Sequence, residues 1–302
     1  MQVFSLIQRY LSLVKFSHTI FAMPFAMIGF SLAFVQQKSM GNGTEPEYLR
    51  IFFLVVLCMV TARNAAMGFN RYIDAVFDGL NPRTAIREIP SGKISGRGAL
   101  GFVIVNAVLF VISAWFINRL CFYLSPLALF VILFYSYTKR FTALCHLVLG
   151  TGLALAPLGA YLAIRSAFSS EILIISLLVF CWVSGFDILY ALQDEEFDRT
   201  HHLNSIPALL GRKNALLVSR MLHLVTASCV VLLGSLVLPF SLYWTGAILF
   251  MLLLFYQHTL VSVRDISRVN LAFATTNGLG SVLFAVFVIL SLIQQYAPTS
   301  GH

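Results

Sequence analysis

The chain is 302 residues long, 59% hydrophobic and 11% charged, with a formal net charge of +8. A soluble domain carries roughly 25% charged residues, so this composition, with a mean hydropathy of +0.87, excludes a soluble protein. It predicts an all-α, polytopic membrane protein whose basic residues, gathered at the edges of apolar stretches, face lipid head groups and phosphorylated ligands rather than nucleic acid.

Nine apolar segments follow one another at 16–36, 50–69, 98–117, 120–138, 142–164, 172–193, 215–237, 240–261 and 271–293. Each approaches the ~20 residues that cross a bilayer, and each is continuously apolar rather than alternating, which selects helices over barrel strands. The first, Phe16 to Val35, is too long for a signal-peptide core and lacks a clear cleavage site. The third and fourth are joined so closely that they must form a tight hairpin. Fifteen Lys and Arg fall on the side of the N-terminus and four, Lys38, Arg50, Arg119 and Arg165, on the other. This bias predicts a cytosolic N-terminus in the cytoplasmic (inner) membrane and an external C-terminus.

No low-complexity linker divides the chain, which reads as a single domain over 1–302. Residues 37–49 form an ordinary outer loop, whereas 70–97 and 194–213 are polar stretches expected to cap the cytosolic end. Every second apolar segment ends on that side in charged residues, which hints at duplicated helical units. Cys58, Cys121, Cys145, Cys181 and Cys229 lack metal-ligand spacing and read as small, reduced core residues. His18 reads as an interfacial residue.

Five of the six aspartates lie in two short clusters, Asn70–Asp78 and Asp187–Asp198, each at the cytosolic end of an apolar segment. Asn70, Asp74 and Asp78 form N-x-x-x-D-x-x-x-D, and Asp194 and Asp198 form D-x-x-x-D, with Asp187 seven residues earlier. On a helix, groups four apart stack on one side, drifting about 40° per step. Carboxylates so spaced repel one another, and no lysine is interleaved to relieve them. A solvated helix end accounts for one such cluster, but two at matching topological positions ask for a counter-ion. The cation suited to an all-oxygen site is Mg²⁺, which commonly holds phosphate as well. His201 and His202 sit among acidic neighbours, which favours the same oxygen chemistry over zinc.

Basic residues surround these clusters. Arg83, Arg87 and Lys93 lie in a compact Pro- and Gly-shaped loop, GLNPRTAIREIPSGKIS (79–95), where arginine forks suit bidentate phosphate contacts. Membrane anchoring explains part of that charge. Arg63 is buried in the second apolar segment, seven residues before Asn70, and an arginine at that depth marks a site by default. Tyr135 and the pair Lys139–Arg140 end the fourth segment, in position to clamp a diphosphate or a carboxylate.

Together these residues resemble the UbiA superfamily of intramembrane prenyltransferases. The resemblance rests on KFSHTIFAMPFA (15–26), RNAAMGFNRYIDAVFDGLNPRTAIREIPSGKIS (63–95), YSYTKRFT (135–142) and DILYALQDEEFDRTHHLNSIP (187–207), and covers essentially the whole chain. It implies nine transmembrane helices around a central cavity capped by the two cytosolic loops. It is similarly close to 4-hydroxybenzoate polyprenyltransferases and to the enzymes that prenylate 1,4-dihydroxy-6-naphthoate on the futalosine route to menaquinone. One departure is Arg71, where many relatives carry aspartate after the aligned asparagine.

The chemistry expected is ionisation of an allylic polyprenyl diphosphate, followed by attack of an electron-rich aromatic ring. Asn70, Asp74, Asp78, Asp194 and Asp198 would hold Mg²⁺ at the diphosphate, with Arg63, Arg83, Arg87, Lys139 and Arg140 as further donors. Asp187 would orient the acceptor or take its proton, and Tyr135 and Tyr190 would turn their ring faces to the cation. The rival from another class is an ion-coupled transporter, against which stands the clustering of acidic groups at one face rather than the midplane.

Overall fold

A computed structural model describes residues 9–10, 12–14, 22–41, 44–236 and 241–296, and all its regular elements are helices. They are α1 Met23–Ser39, α2 Glu45–Ile73, α3 Ala75–Leu80, α4 Gly96–Ile117, α5 Arg119–Thr138, α6 Cys145–Arg165, α7 Ser170–Ala191, α8 Glu195–Thr200, α9 Ile206–Leu236, α10 Ser241–Leu260 and α11 Asn277–Tyr296. His18 lies outside the described residues.

Seven of the described helical stretches are long and apolar enough to cross a membrane: α2, α4, α5, α6, α7 continued through α8, α9, and Leu271–Gln295. Residues 16–21 of the first expected segment lie outside the described residues; the rest of it and the eighth fall on α1 and α10, which are helical but not among the seven. The capping regions are more ordered than loops. The first carries α2 on to Ile73 and then α3; the second forms α8 and the first turns of α9, which bends at Gly211 (φ 74°).

The expected hairpin is real, and one residue makes it. Asn118 is extended between α4 and α5, so neither helix runs through it. Its side chain accepts from the Cys121 N–H at 2.8 Å and donates to the carbonyls of Leu162 and Ala163 at 2.9 and 3.2 Å. It thus caps α5 and ties the hairpin to the end of α6.

Without a hydrophobic force between helices in lipid, close approach depends on small residues. A Cβ at Gly29 would stand 2.2 Å from the Pro157 carbonyl oxygen, and one at Gly150 would stand 2.2 Å from Ser184 Oγ, so α6 packs directly on α1 and α7. The main core lies on that side, where Phe25, Trp182, Phe250 and Phe284 pack with centroids 5.0 to 6.5 Å apart, mostly tilted or edge-on. The Trp182 indole N–H, which must find an acceptor when buried, donates to Asn277 Oδ1 at 3.1 Å. On the other side, α2, α4, α5 and α6 surround open space, and α4 and α5 turn Ile104, Trp115, Tyr123 and Phe130 outward.

Candidate active site

Two cavities meet inside this framework. The first, of about 310 Å³, is polar and lies at the end where α2, α5 and α7 give way to the capping segments. Asn70, Asp74, Asp78, Arg63, Arg83, Arg87, Tyr135, Lys139, Arg140, Asp187, Tyr190, Asp194 and Asp198 all line it, so the sequence-predicted site residues converge. The second, of about 550 Å³, is apolar and is walled by residues such as Val55, Met59, Ala62, Phe110, Leu124 and Val131. Arg63, Met67, Tyr135, Leu149 and Leu153 belong to both walls and so mark the passage between them.

One side of the polar chamber is built by the break in α2. The helix ends at Ile73, and Asn70 Nδ2 donates to Asp74 Oδ2 at 2.9 Å. Arg140 reaches over from the end of α5, donating to the Ile73 carbonyl at 2.8 Å and standing 3.4 Å from Asp74 Oδ1. One turn on, buried Asp78 pairs through Oδ1 with Arg87 at 2.5 Å, while its Oδ2 is 4.0 Å from Arg71 and has no hydrogen-bond partner. The unusual Arg71 is thus a buried cation beside a carboxylate. Burial, and then the neighbouring charge of Asp78, push the Asp74 carboxyl up to about 6 against the opposing pull of Arg140 and Lys139.

The other side hangs from α7. Arg83 forks onto Asp194, Nε to Oδ1 at 3.2 Å and Nη2 to Oδ2 at 2.5 Å, and Asn81 Nδ2 shares Oδ1 at 3.2 Å. The third guanidinium nitrogen donates to the Tyr190 hydroxyl at 3.1 Å. Lys139 Nζ lies 2.7 Å from Asp198 Oδ1, and Ser205 Oγ donates to Oδ2 at 2.8 Å. Burial alone would push the Lys139 ammonium down, but Asp198 beside it and Asp194 behind outweigh that and hold it above the ordinary lysine range. Lys139 and Arg140, adjacent in sequence, therefore divide between the two acidic clusters.

The counter-charge that the acidic clusters require comes in this structure from Arg83, Arg87, Lys139 and Arg140, which neighbour them in space rather than along the helix. Among the described residues no group of three or more His, Cys, Asp or Glu stands where it would hold a metal ion, and that includes His201 and His202. His201 stacks on Phe197 instead, ring centroids 4.0 Å apart. Magnesium does not need such a cage, since it is usually held by one or two carboxylates together with substrate phosphates. The all-oxygen donor set and the unpartnered Asp78 Oδ2 fit that mode.

Asp187 is separate from both clusters. Its Oδ2 is 2.6 Å from His146 Nδ1, and it also lines the chamber. Arg63, in the passage to the apolar cavity, has a buried Nε without a hydrogen-bond partner. Lys93, whose carbonyl accepts from Arg9 at 3.4 Å, is not in the chamber wall. Three of the cysteines expected in the core line cavities instead, Cys58 and Cys121 in the apolar one and Cys145 in the polar one.

Sequence reasoning missed four contributors. His146 could have been flagged as a histidine in an apolar helix. Asn81 is a short polar residue with no signal of its own, and Ser205, before Ile206–Pro207, reads only as a helix N-cap. Phe273 is placed by a π-helical turn, Leu271–Thr276, held open by Asn277 Nδ2 donating to the Ala272 and Phe273 carbonyls at 3.1 and 3.0 Å. It lies against Tyr190, with centroids 4.3 Å apart, on the chamber wall. Such turns often mark functional sites but are not legible in a helical pattern.

Known proteins match this chain over most of its length. The model of the UbiA prenyltransferase family matches residues 22–293. The 4-hydroxybenzoate octaprenyltransferase of Vibrio cholerae serotype O1 is 30% identical over 238 residues, covering 78% of this chain and 83% of that protein. Its counterpart from Francisella tularensis is 28% identical over 252 residues, covering 83% and 85%. Among solved structures, the apo form of a UbiA homologue from Aeropyrum pernix superposes with a TM-score of 0.76 at 28% identity, covering 92% of this chain and 98% of that one. A UbiA homologue from Archaeoglobus fulgidus, solved with DMAPP and Mg²⁺, shares the fold with a TM-score of 0.74 at 20% identity, over 94% and 99%. These matches set aside the transporter alternative, and the chain belongs to the UbiA prenyltransferase family.

Proposed function

We propose that this prenyltransferase moves a polyprenyl group from a polyprenyl diphosphate to an aromatic acid of the 4-hydroxybenzoate type, in a Mg²⁺-dependent reaction. The observation that carries this reading is the pairing of the two chambers: a polar one lined by arginine, lysine and carboxylate opens past Arg63 and Tyr135 into an apolar one. A diphosphate with a long hydrocarbon tail is the ligand that such a pair divides between its halves. The names of the curated relatives, and the DMAPP and Mg²⁺ bound to the structural neighbour, support the same substrate class.

The residues that would hold the metal are Asn70, Asp74 and Asp78 on one side and Asp194 and Asp198 on the other. Mg²⁺, when bound, would neutralise the charge that gathers on the departing diphosphate. Arg83, Arg87, Lys139 and Arg140 would exchange their carboxylate partners for diphosphate oxygens, donating as the allylic C–O bond breaks and its electron pair leaves with the diphosphate. Tyr135 and Tyr190 would present ring faces to the allylic cation, and the dry walls would keep water from it. The acceptor ring carbon then forms the new C–C bond, and Asp187 takes the proton that this carbon releases. Arg63 would bind the acceptor carboxylate at the passage.

The distribution of basic residues favours an active site facing the cytosol in the inner membrane. Incubating membranes that contain the protein with geranyl diphosphate and Mg²⁺, and with either 4-hydroxybenzoate or 1,4-dihydroxy-6-naphthoate, tests the acceptor. Mass spectrometry of a prenylated benzoate is the expected result. A prenylated naphthoate alone would move the protein to menaquinone synthesis.

A further inference from the structure

The first turn of α9 has backbone N–H groups that its own helix cannot satisfy. Pro207 has none to offer, and Ser205 Oγ accepts from Ala208 at 3.3 Å. The Ile206 N–H points instead at His146 Nε2, 3.3 Å away on α6. An amide N–H can only donate, so Nε2 must be the unprotonated nitrogen of this imidazole. The proton then sits on Nδ1, which faces Asp187 Oδ2 at 2.6 Å. Both ring nitrogens are committed, and the ring itself is buried.

The segment that supplies Ile206 is stitched down along its length. Leu203 N donates to the Asp198 carbonyl at 2.8 Å, and Asn204 N donates to the Lys139 carbonyl at 2.6 Å. Cys145 Sγ lies 3.5 Å from the Asn204 carbonyl, and Ser205 Oγ holds Asp198 Oδ2 at 2.8 Å. Residues 203–206 therefore touch Asp198, Lys139 and His146 at once, and His146 passes the contact on to Asp187.

We infer that His146 is a positioning residue that ties the orientation of Asp187 to the seating of residues 203–206 across the chamber. The imidazole holds Oδ2 and leaves Oδ1 for the acceptor, and it does so in the required tautomer only while Ile206 donates to it. The inference rests on the role proposed above for Asp187. When the segment lifts, Nε2 loses its donor, the tautomer is no longer fixed and Asp187 is free to turn away. Closure over the diphosphate and readiness to accept the ring proton would thus be one event.

The test uses the full-length protein in detergent with geranyl diphosphate, Mg²⁺ and 4-hydroxybenzoate. An asparagine amide places a donor where Nδ1–H stands, whereas a glutamine amide reaches the Nε2 position but leaves Asp187 without its donor. His146→Gln is expected to lower kcat at least about 30-fold while leaving the Kd for geranyl diphosphate within about threefold of wild type. His146→Asn should recover kcat to within about tenfold of wild type, because it keeps the donor to Asp187. The double variant with Asp187→Asn should be no slower than Asp187→Asn alone, since both changes remove one function.

Equal loss in the two His146 variants, a double variant slowed by the product of the single effects, or loss of geranyl diphosphate binding in either variant would each overturn the inference. Those outcomes leave the role of Asp187 standing if Asp187→Asn is itself slow. An Asp187→Asn enzyme of wild-type speed would instead remove that role, and the positioning of Asp187 with it.

Discussion

Arg83 and Asp194, 111 residues apart in the sequence, meet in a two-pronged ion pair that joins the first capping region to the second. The contact closes the polar chamber between the two acidic motifs. Its geometry is that of an arginine fork on a carboxylate, which a lysine cannot reproduce.

Arg83→Lys should therefore loosen the cap and weaken the diphosphate site together. The expected result is a rise of about tenfold or more in the KM for prenyl diphosphate, with faster proteolysis within residues 79–95. Unchanged KM and unchanged protection would show that the fork is a surface ion pair of little consequence.

Arg63 stands in the passage between the chambers, with its buried Nε unpartnered. Arg63→Ala should raise the KM for an acidic acceptor by about 10- to 100-fold, the loss expected when one charge-assisted hydrogen bond is removed from a desolvated site. The same variant should discriminate less against a neutral phenol lacking the carboxylate. Steady-state kinetics with the two acceptors reads both effects, and unchanged acceptor kinetics would leave Arg63 a structural residue.

Asn118 tests the fold rather than the chemistry. Asn118→Ala removes the cap of α5 and two hydrogen bonds to the end of α6, which should cost about 1–2 kcal/mol. A lowered thermal midpoint in detergent, with the ligand-binding properties of the remaining folded fraction preserved, is the expected outcome. A midpoint equal to wild type would mean that the hairpin is held by lipid-facing packing alone.

Much of this site was legible in the sequence because its elements are helices. Asn70, Asp74 and Asp78 announce themselves by spacing, and Arg63 by its cost in an apolar segment. What spacing could not reveal is which cation serves which carboxylate. Arg83 was expected to meet phosphate, and in this structure it holds Asp194; Lys139 and Arg140 part company toward opposite sides of the chamber. His146 escaped notice because both its partners, Asp187 and Ile206, are brought to it by tertiary packing from 41 and 60 residues away. The π-turn that sets Phe273 against Tyr190 follows from hydrogen bonds of Asn277, which no hydrophobic period encodes.

Asp187→Asn should divide the reaction in two. Asp187 lies seven residues, about 10 Å along a helix, from Asp194. Binding of geranyl diphosphate and its Mg²⁺ dependence should survive, while prenylated aromatic product falls by about 100-fold or more, the scale of losing a positioned general base. Loss of diphosphate binding in step with Asp194→Asn would place Asp187 among the metal-binding groups instead.

The central claim is that the two acidic motifs act together on a diphosphate through a divalent cation. Its most direct test is Mg²⁺-dependent pyrophosphate release, measured alongside prenylated aromatic product, in wild type, Asp74→Ala and Asp194→Ala proteins that remain folded in the membrane. Wild type should release one pyrophosphate per prenylated ring and stop on addition of EDTA, and each variant should lose at least about 100-fold in turnover. Turnover that persists in EDTA, or near-normal release from both variants at limiting Mg²⁺, would contradict the account.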